Sequence, residues 1–189
     1  MTLALRVLEA PDHVPGSVIP LEAGAHAVGD IIGQGASRCV VADVMCVLEA
    51  RFSSGQILIF DQDAELAGQW TERHLAQGFI RGDGHLSLRT LPGAGEVLVR
   101  VFASPYLPLP QDDRVIAVPF RVTSGSVRVG EQVIDVAAGE YRLVTCQRFF
   151  DGDEDLDLFF ERIDLPRQRS EILVADAELL PELPLRETC

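Results

Sequence analysis

Ten short segments in which apolar residues alternate with polar ones, each closed by glycine, proline or aspartate, set what this chain can fold into. They are LALRVL (3–8), CVVADVMCVL (39–48), GQILIF (55–60), HLSLRT (85–90), EVLVRVF (96–102), RVIAVPFRV (114–122), SVRV (126–129), QVIDV (132–136), EYRLVTCQRF (140–149) and DLDLFFERI (155–163). Period-two alternation in β-branched and aromatic residues suits strands with one buried face. The turn residues agree. RGDGH (81–85) contains Asp83-Gly84, and SGS (124–126) and AAGE (137–140) place glycine where positive φ is easy. The expectation is an all-β fold, an antiparallel β-sandwich with one short helix. That helix is AELAGQWTERHLAQG, where Thr71 caps a turn from Glu72 to Gly78 with Trp70 and Leu75 facing inward. Pro119 lacks a backbone donor, so its strand is expected to be an edge or bulged there, open to another chain. The organisation expected is an N-terminal β extension over 1–50 packed on a main domain over 51–165, then a tail over 166–189. The tail forms a final strand or short helix before its prolines interrupt it.

With 47% hydrophobic and 24% charged residues, the chain has the composition of a folded protein. Its apolar runs fall short of the roughly 20 residues of a membrane span. The first residues show no basic flank and no cleavage site of a secretory signal, so the expected location is cytoplasmic. Cys39, Cys46, Cys146 and Cys189 lack CxxC spacing, which speaks against zinc and against a disulfide framework. The net charge of −13 repels phosphates and attracts basic surfaces, so direct nucleic-acid binding is not expected. All sixteen basic residues are arginine, the better partner for planar ion pairs.

Catalytic and metal motifs fail at their most restrictive positions. FFDGDEDLDLFFE (149–161) opens like a calcium loop at Asp151, Asp153 and Asp155, but Leu156 stands where the glycine belongs and Arg162 where the bidentate glutamate belongs. VGDIIGQGAS (28–37) has no lysine to serve a phosphate loop. His13, His26, His74 and His85 have no ligand spacing, and no GxSxG elbow activates a serine. No catalytic residue, metal or cofactor is expected. In the acidic stretch, Leu156, Leu158 and Phe160 point to one side of a strand and Asp155, Asp157 and Glu161 to the other. That charged face is either a solvated outer face or a partner surface. Tyr106, in the proline-rich SPYLPLPQDD (104–113), is either a packed loop anchor or an exposed recognition residue.

A series of weak markers runs in order from Phe52 to Arg162: FSSGQILIFDQD, QWTERHLAQGFI, GDGHLSL, RVIAVPFRVTSGSVRV, VAAGEYRLVTC and the acidic, aromatic strand. In this order the chain resembles the competence protein J family, whose founding type inhibits a bacterial DNA-entry nuclease. The resemblance implies a compact cytoplasmic protein that is not an enzyme and that binds and neutralises a nuclease. Charge agrees, since a cleft that grips phosphates is basic and an acidic protein complements it. On that reading Asp151, Asp153, Glu154, Asp155 and Asp157 meet the basic partner, with Phe150 or Phe159 as apolar anchor. Phe159, on the acidic side of the alternation, is the one expected to be exposed. Asp61, Asp63 and Glu65 with Asp112 and Asp113 form a second candidate surface. The competing reading is a β-sandwich binding module, or a subunit that self-associates, using the Pro119 edge or the Tyr106 loop.

Overall fold

The computed structural model describes residues 3–4, 20–21, 44–50, 55–65, 68–91, 97–164 and 169–185. The glycine-rich stretch 28–37, His13, His26, Cys39, Cys189, Ser37, Ser53 and Ser54 lie outside these residues, as does the Cys46 side chain. Two sheets pack face to face. The five-stranded sheet runs in the order β10 (Gln132–Asp135), β9 (Ser126–Val129), β4 (Gln56–Asp61), β6 (His85–Arg89) and β5 (Phe79–Gly82), all antiparallel. The six-stranded sheet runs β13 (Glu171–Val174), β8 (Arg114–Val122), β11 (Gly139–Phe150), β12 (Asp153–Arg162), β7 (Val97–Phe102) and β3 (Val44–Ala50). It is antiparallel except for the parallel pair β12 and β7. β1 (Leu3–Ala4) and β2 (Pro20–Leu21) pair with each other.

The all-β sandwich expected from the alternation is therefore present. Its core lies between the sheets and follows the period-two pattern strand by strand: Ile57 and Ile59, Leu86 and Leu88, Ile116, Val118 and Phe120, Leu143, then Leu156, Leu158 and Phe160. Each such side chain, fully buried, contributes on the order of 1.5–3 kcal/mol. Where they fall on described residues, the expected strands recur with ends shifted by a few residues. β5, whose FIRG breaks the alternation, had no such signal.

The helix α1 (Glu72–Gln77) starts and stops where its cap residues predict. The Thr71 hydroxyl accepts from the His74 backbone N–H, and Gly78 closes the helix at φ 82°. Its buried face differs from the expectation. His74 and Gln77 point inward, Trp70 is only half-buried and Leu75 is exposed. The His74 ring bonds back to Thr71, which satisfies the helix start and draws the ring under the turn.

Pro119 pairs across from Arg142 of β11, and β13 covers the other side of β8 only as far as Ala117. The proline thus lies past the end of β13, as a residue without a donor requires. The Val115–Ala117 part of that edge is occupied by the chain's own tail. Beyond β13 the tail crosses α1: the Leu180 N–H donates to Ala76 O, Leu179 is buried against Gly78, and Asp176 pairs with the fully buried Arg114.

Candidate functional site

The acidic strand β12 has two faces of different character, and neither is the free charged surface that the alternation alone suggests. On the inner face, ahead of Leu156, Glu154 is completely buried and accepts from the Leu91 N–H (2.7 Å) and from Gln147 Nε2 (2.7 Å). Burial pushes its carboxyl above the usual range, against the pull of those two donors.

On the outer face the carboxylates are met by the chain's own arginines. Asp157, 4% exposed, accepts from Arg100 Nε at 2.6 Å and pairs with Arg148. Arg100 also holds Asp155 at 3.0 Å, and Arg142 holds Glu161 at 2.9 Å. Planar guanidinium groups bridging two acids at once explain why arginine serves here. Burial alone would lower the Arg148 pKa, but Asp157 beside it raises it. The network continues to Asp112, which lies 3.6 Å from Arg148 Nε and accepts from the Tyr106 hydroxyl (2.6 Å), the Leu109 N–H (2.8 Å) and Cys146 Sγ (3.0 Å).

The loop 103–113 lies over this face. Phe159, expected to be exposed, is buried: it stacks on Phe102 at 4.6 Å and meets the Tyr106 ring edge-on at 5.5 Å. Tyr106 is the packed anchor of the two alternatives, with its N–H on Glu161 and its hydroxyl on Asp112. Burial, then the Asp112 carboxylate, pushes its phenol pKa up, so it stays a donor. Burial likewise raises the Cys146 thiol. Glu154, Asp157 and Phe159 are thus inside the molecule, and Asp155 is held in an ion pair.

Exposure concentrates instead where β11 turns into β12. The ladder is paired out to Phe150 and Asp153, and the two residues between them, Asp151 at φ 51° and Gly152 at φ 92°, make a tight turn with both central φ values positive. The Asp-Gly pair is the sequence signal for this hairpin. Phe150 is 70% exposed and Phe149 45%, on opposite faces of the ribbon, with Asp151 and Asp153 also exposed. The tip is tied to the covering loop, because Asp113 donates its N–H to Gln147 O and accepts from the Phe149 N–H at 2.8 Å. The exposed Leu109 therefore comes to the same end of the sheet.

The second candidate surface does not assemble. Asp61 is buried and binds the Thr123 and Ser124 hydroxyls at 2.5 Å, while Asp112 belongs to the network on the other sheet. Burial works against the Asp61 charge, yet the Ser124 and Thr123 hydrogen bonds hold its pKa below the usual carboxylate value. His85 is buried, which lowers its pKa. Among the described residues no group of three or more His, Cys, Asp or Glu is placed to hold a metal ion. None of the helices described is long and apolar enough to cross a membrane.

The competence protein J family model matches residues 49–165, well over half the chain. The chain belongs to the competence protein J family. A solved structure with a similar fold is ComJ of Bacillus subtilis, described as an inhibitor of the DNA-degrading activity of NucA. It aligns with a TM-score of 0.57 at 16% identity, covering 66% of this chain and 100% of that one. A search of curated proteins finds no match. The competence protein J unit thus includes both sheets from β4 to β12, with the β11–β12 tip. β1, β2 and the tail with β13 lie outside the matched range.

Proposed function

We propose that this chain is a non-enzymatic inhibitor that binds a DNA-degrading nuclease stoichiometrically and neutralises it. Its membership of the competence protein J family carries this reading, together with the inhibition of NucA by the structurally similar B. subtilis protein. The net charge of −13 supports it physically. An enzyme that grips DNA must present cations to phosphates, so an acidic partner is steered to it and DNA is repelled. The partner on this reading is a basic nuclease, the inhibitor itself does not bind nucleic acid, and it acts in the cytoplasm of a bacterium. Within the acidic stretch Asp151 and Asp153 are exposed at the β11–β12 turn, whereas Glu154 and Asp157 are buried and Asp155 is held by Arg100, so the turn is the part of the stretch that a partner would meet.

The reading is tested by passing extract of the source organism over the immobilised chain and assaying the eluate on labelled duplex DNA. The expected eluate contains a basic protein whose DNA-degrading activity is suppressed again when the soluble chain is added back. An eluate with no such activity, from an extract that degrades DNA, would refute the proposal.

A further inference from the structure

Building on the inhibitor reading above, we infer that inhibition is by occlusion: the β11–β12 tip, with Phe150 as its apolar anchor, enters the basic DNA-binding cleft of the nuclease and competes with DNA. The first observation is shape. The ladder is paired to its last residue, the turn is the tightest a hairpin allows, and a Cβ built on Gly152 meets no atom within 4 Å. The tip therefore projects, with open space around Gly152 and Phe150 largely exposed, a shape suited to a concave partner.

The second observation is the pairing of apolar and charged exposure. A phenylalanine 70% exposed at a projecting turn is the kind of residue that anchors interfaces when a pocket desolvates it. Beside it Asp113 and Asp151 are exposed carboxylates, while Arg148, two residues before Phe150 on the same face, is turned to Asp157. A site matching this tip presents cations around an apolar or aromatic floor. Grooves that hold nucleic acid present cations to phosphates, and those that hold an unpaired strand add ring faces for bases. The carboxylates then stand where phosphates would lie and the Phe150 ring where a base would stack. A second acidic copy of this chain fits less well, because like charges would meet.

The test uses the nuclease purified on the immobilised native chain and measures cleavage of a fluorescent duplex at a series of DNA concentrations. Competition predicts an apparent inhibition constant that rises in proportion to DNA above its KM. Phe150→Ala should raise that constant roughly tenfold or more. Asp151→Asn should slow association about threefold at low salt, an effect that fades at high salt. Leu183→Ala, at an 82% exposed leucine of the tail, should leave inhibition at native strength. An inhibition constant independent of DNA, or native inhibition by Phe150→Ala, overturns occlusion by the tip while the inhibitor reading stands. A native chain that does not inhibit the nuclease overturns both.

Discussion

Replacing Asp157 by asparagine leaves the shape of the outer face almost unchanged but takes the charge from between Arg100 and Arg148. Breaking a buried ion pair on one side costs about 3–5 kcal/mol, since the other charge stays behind. The side chains of Arg100 and Arg148 are 22% and 14% exposed, and Arg100 keeps Asp155, so the lower end of that range, about 3 kcal/mol, applies. With a urea m-value of about 2 kcal/mol/M, the unfolding midpoint should fall by about 1.5 M. Trp70, the single tryptophan, reports the transition by fluorescence. Inhibition of the nuclease, measured well below the unfolding temperature, should stay at native strength, because Asp157 lies under the loop. A midpoint within about 0.3 M of the native one, or a large loss of inhibition by the folded variant, would refute the assignment of this acid to the fold.

Phe159→Ala should destabilise by about 3–5 kcal/mol in urea unfolding, since it empties the stack between Phe102 and Tyr106. Asp61→Asn should cost about 1–3 kcal/mol at neutral pH by weakening the bonds to Thr123 and Ser124. Because the folded pKa of Asp61 is below its ordinary 3.8, that stabilisation is present above 3.8 and lost as pH falls through the folded value; the gap between native and variant midpoints should close over that range. Gly78→Ala forces a side chain into positive φ and within 2.7 Å of Leu179, so Tm should drop by about 4–8 °C in calorimetry.

Local signals carried the fold well. Alternation located most strands, and Thr71 and Gly78 bounded the helix because caps act within a few residues of their own position. What alternation could not reveal is what covers each face. Leu156, Leu158 and Phe160 do face the core, but Asp157 and Phe159 on the other side are buried too, because the loop 103–113 returns over them. The arginine partners of Asp157 are also brought in by the fold: Arg100 is 57 residues from it in sequence. Glu154 precedes the alternating run and joins the inner face through Gln147 of β11 and the Leu91 N–H beyond the end of β6, contacts that the fold brings together. The helix face was misread because His74 and Gln77 find polar partners inside while Leu75 is left to solvent. The turn at Asp151-Gly152 was legible in principle, since Asp-Gly between apolar runs is a strong hairpin signal. It identifies which part of the acidic stretch projects.

The most direct test is a stoichiometric titration: the nuclease at a concentration far above the dissociation constant, with its cleavage rate of duplex DNA followed as the chain is added. The account predicts a linear fall that reaches zero at a fixed molar ratio. A cleavage rate unchanged by a large excess of folded chain would contradict it.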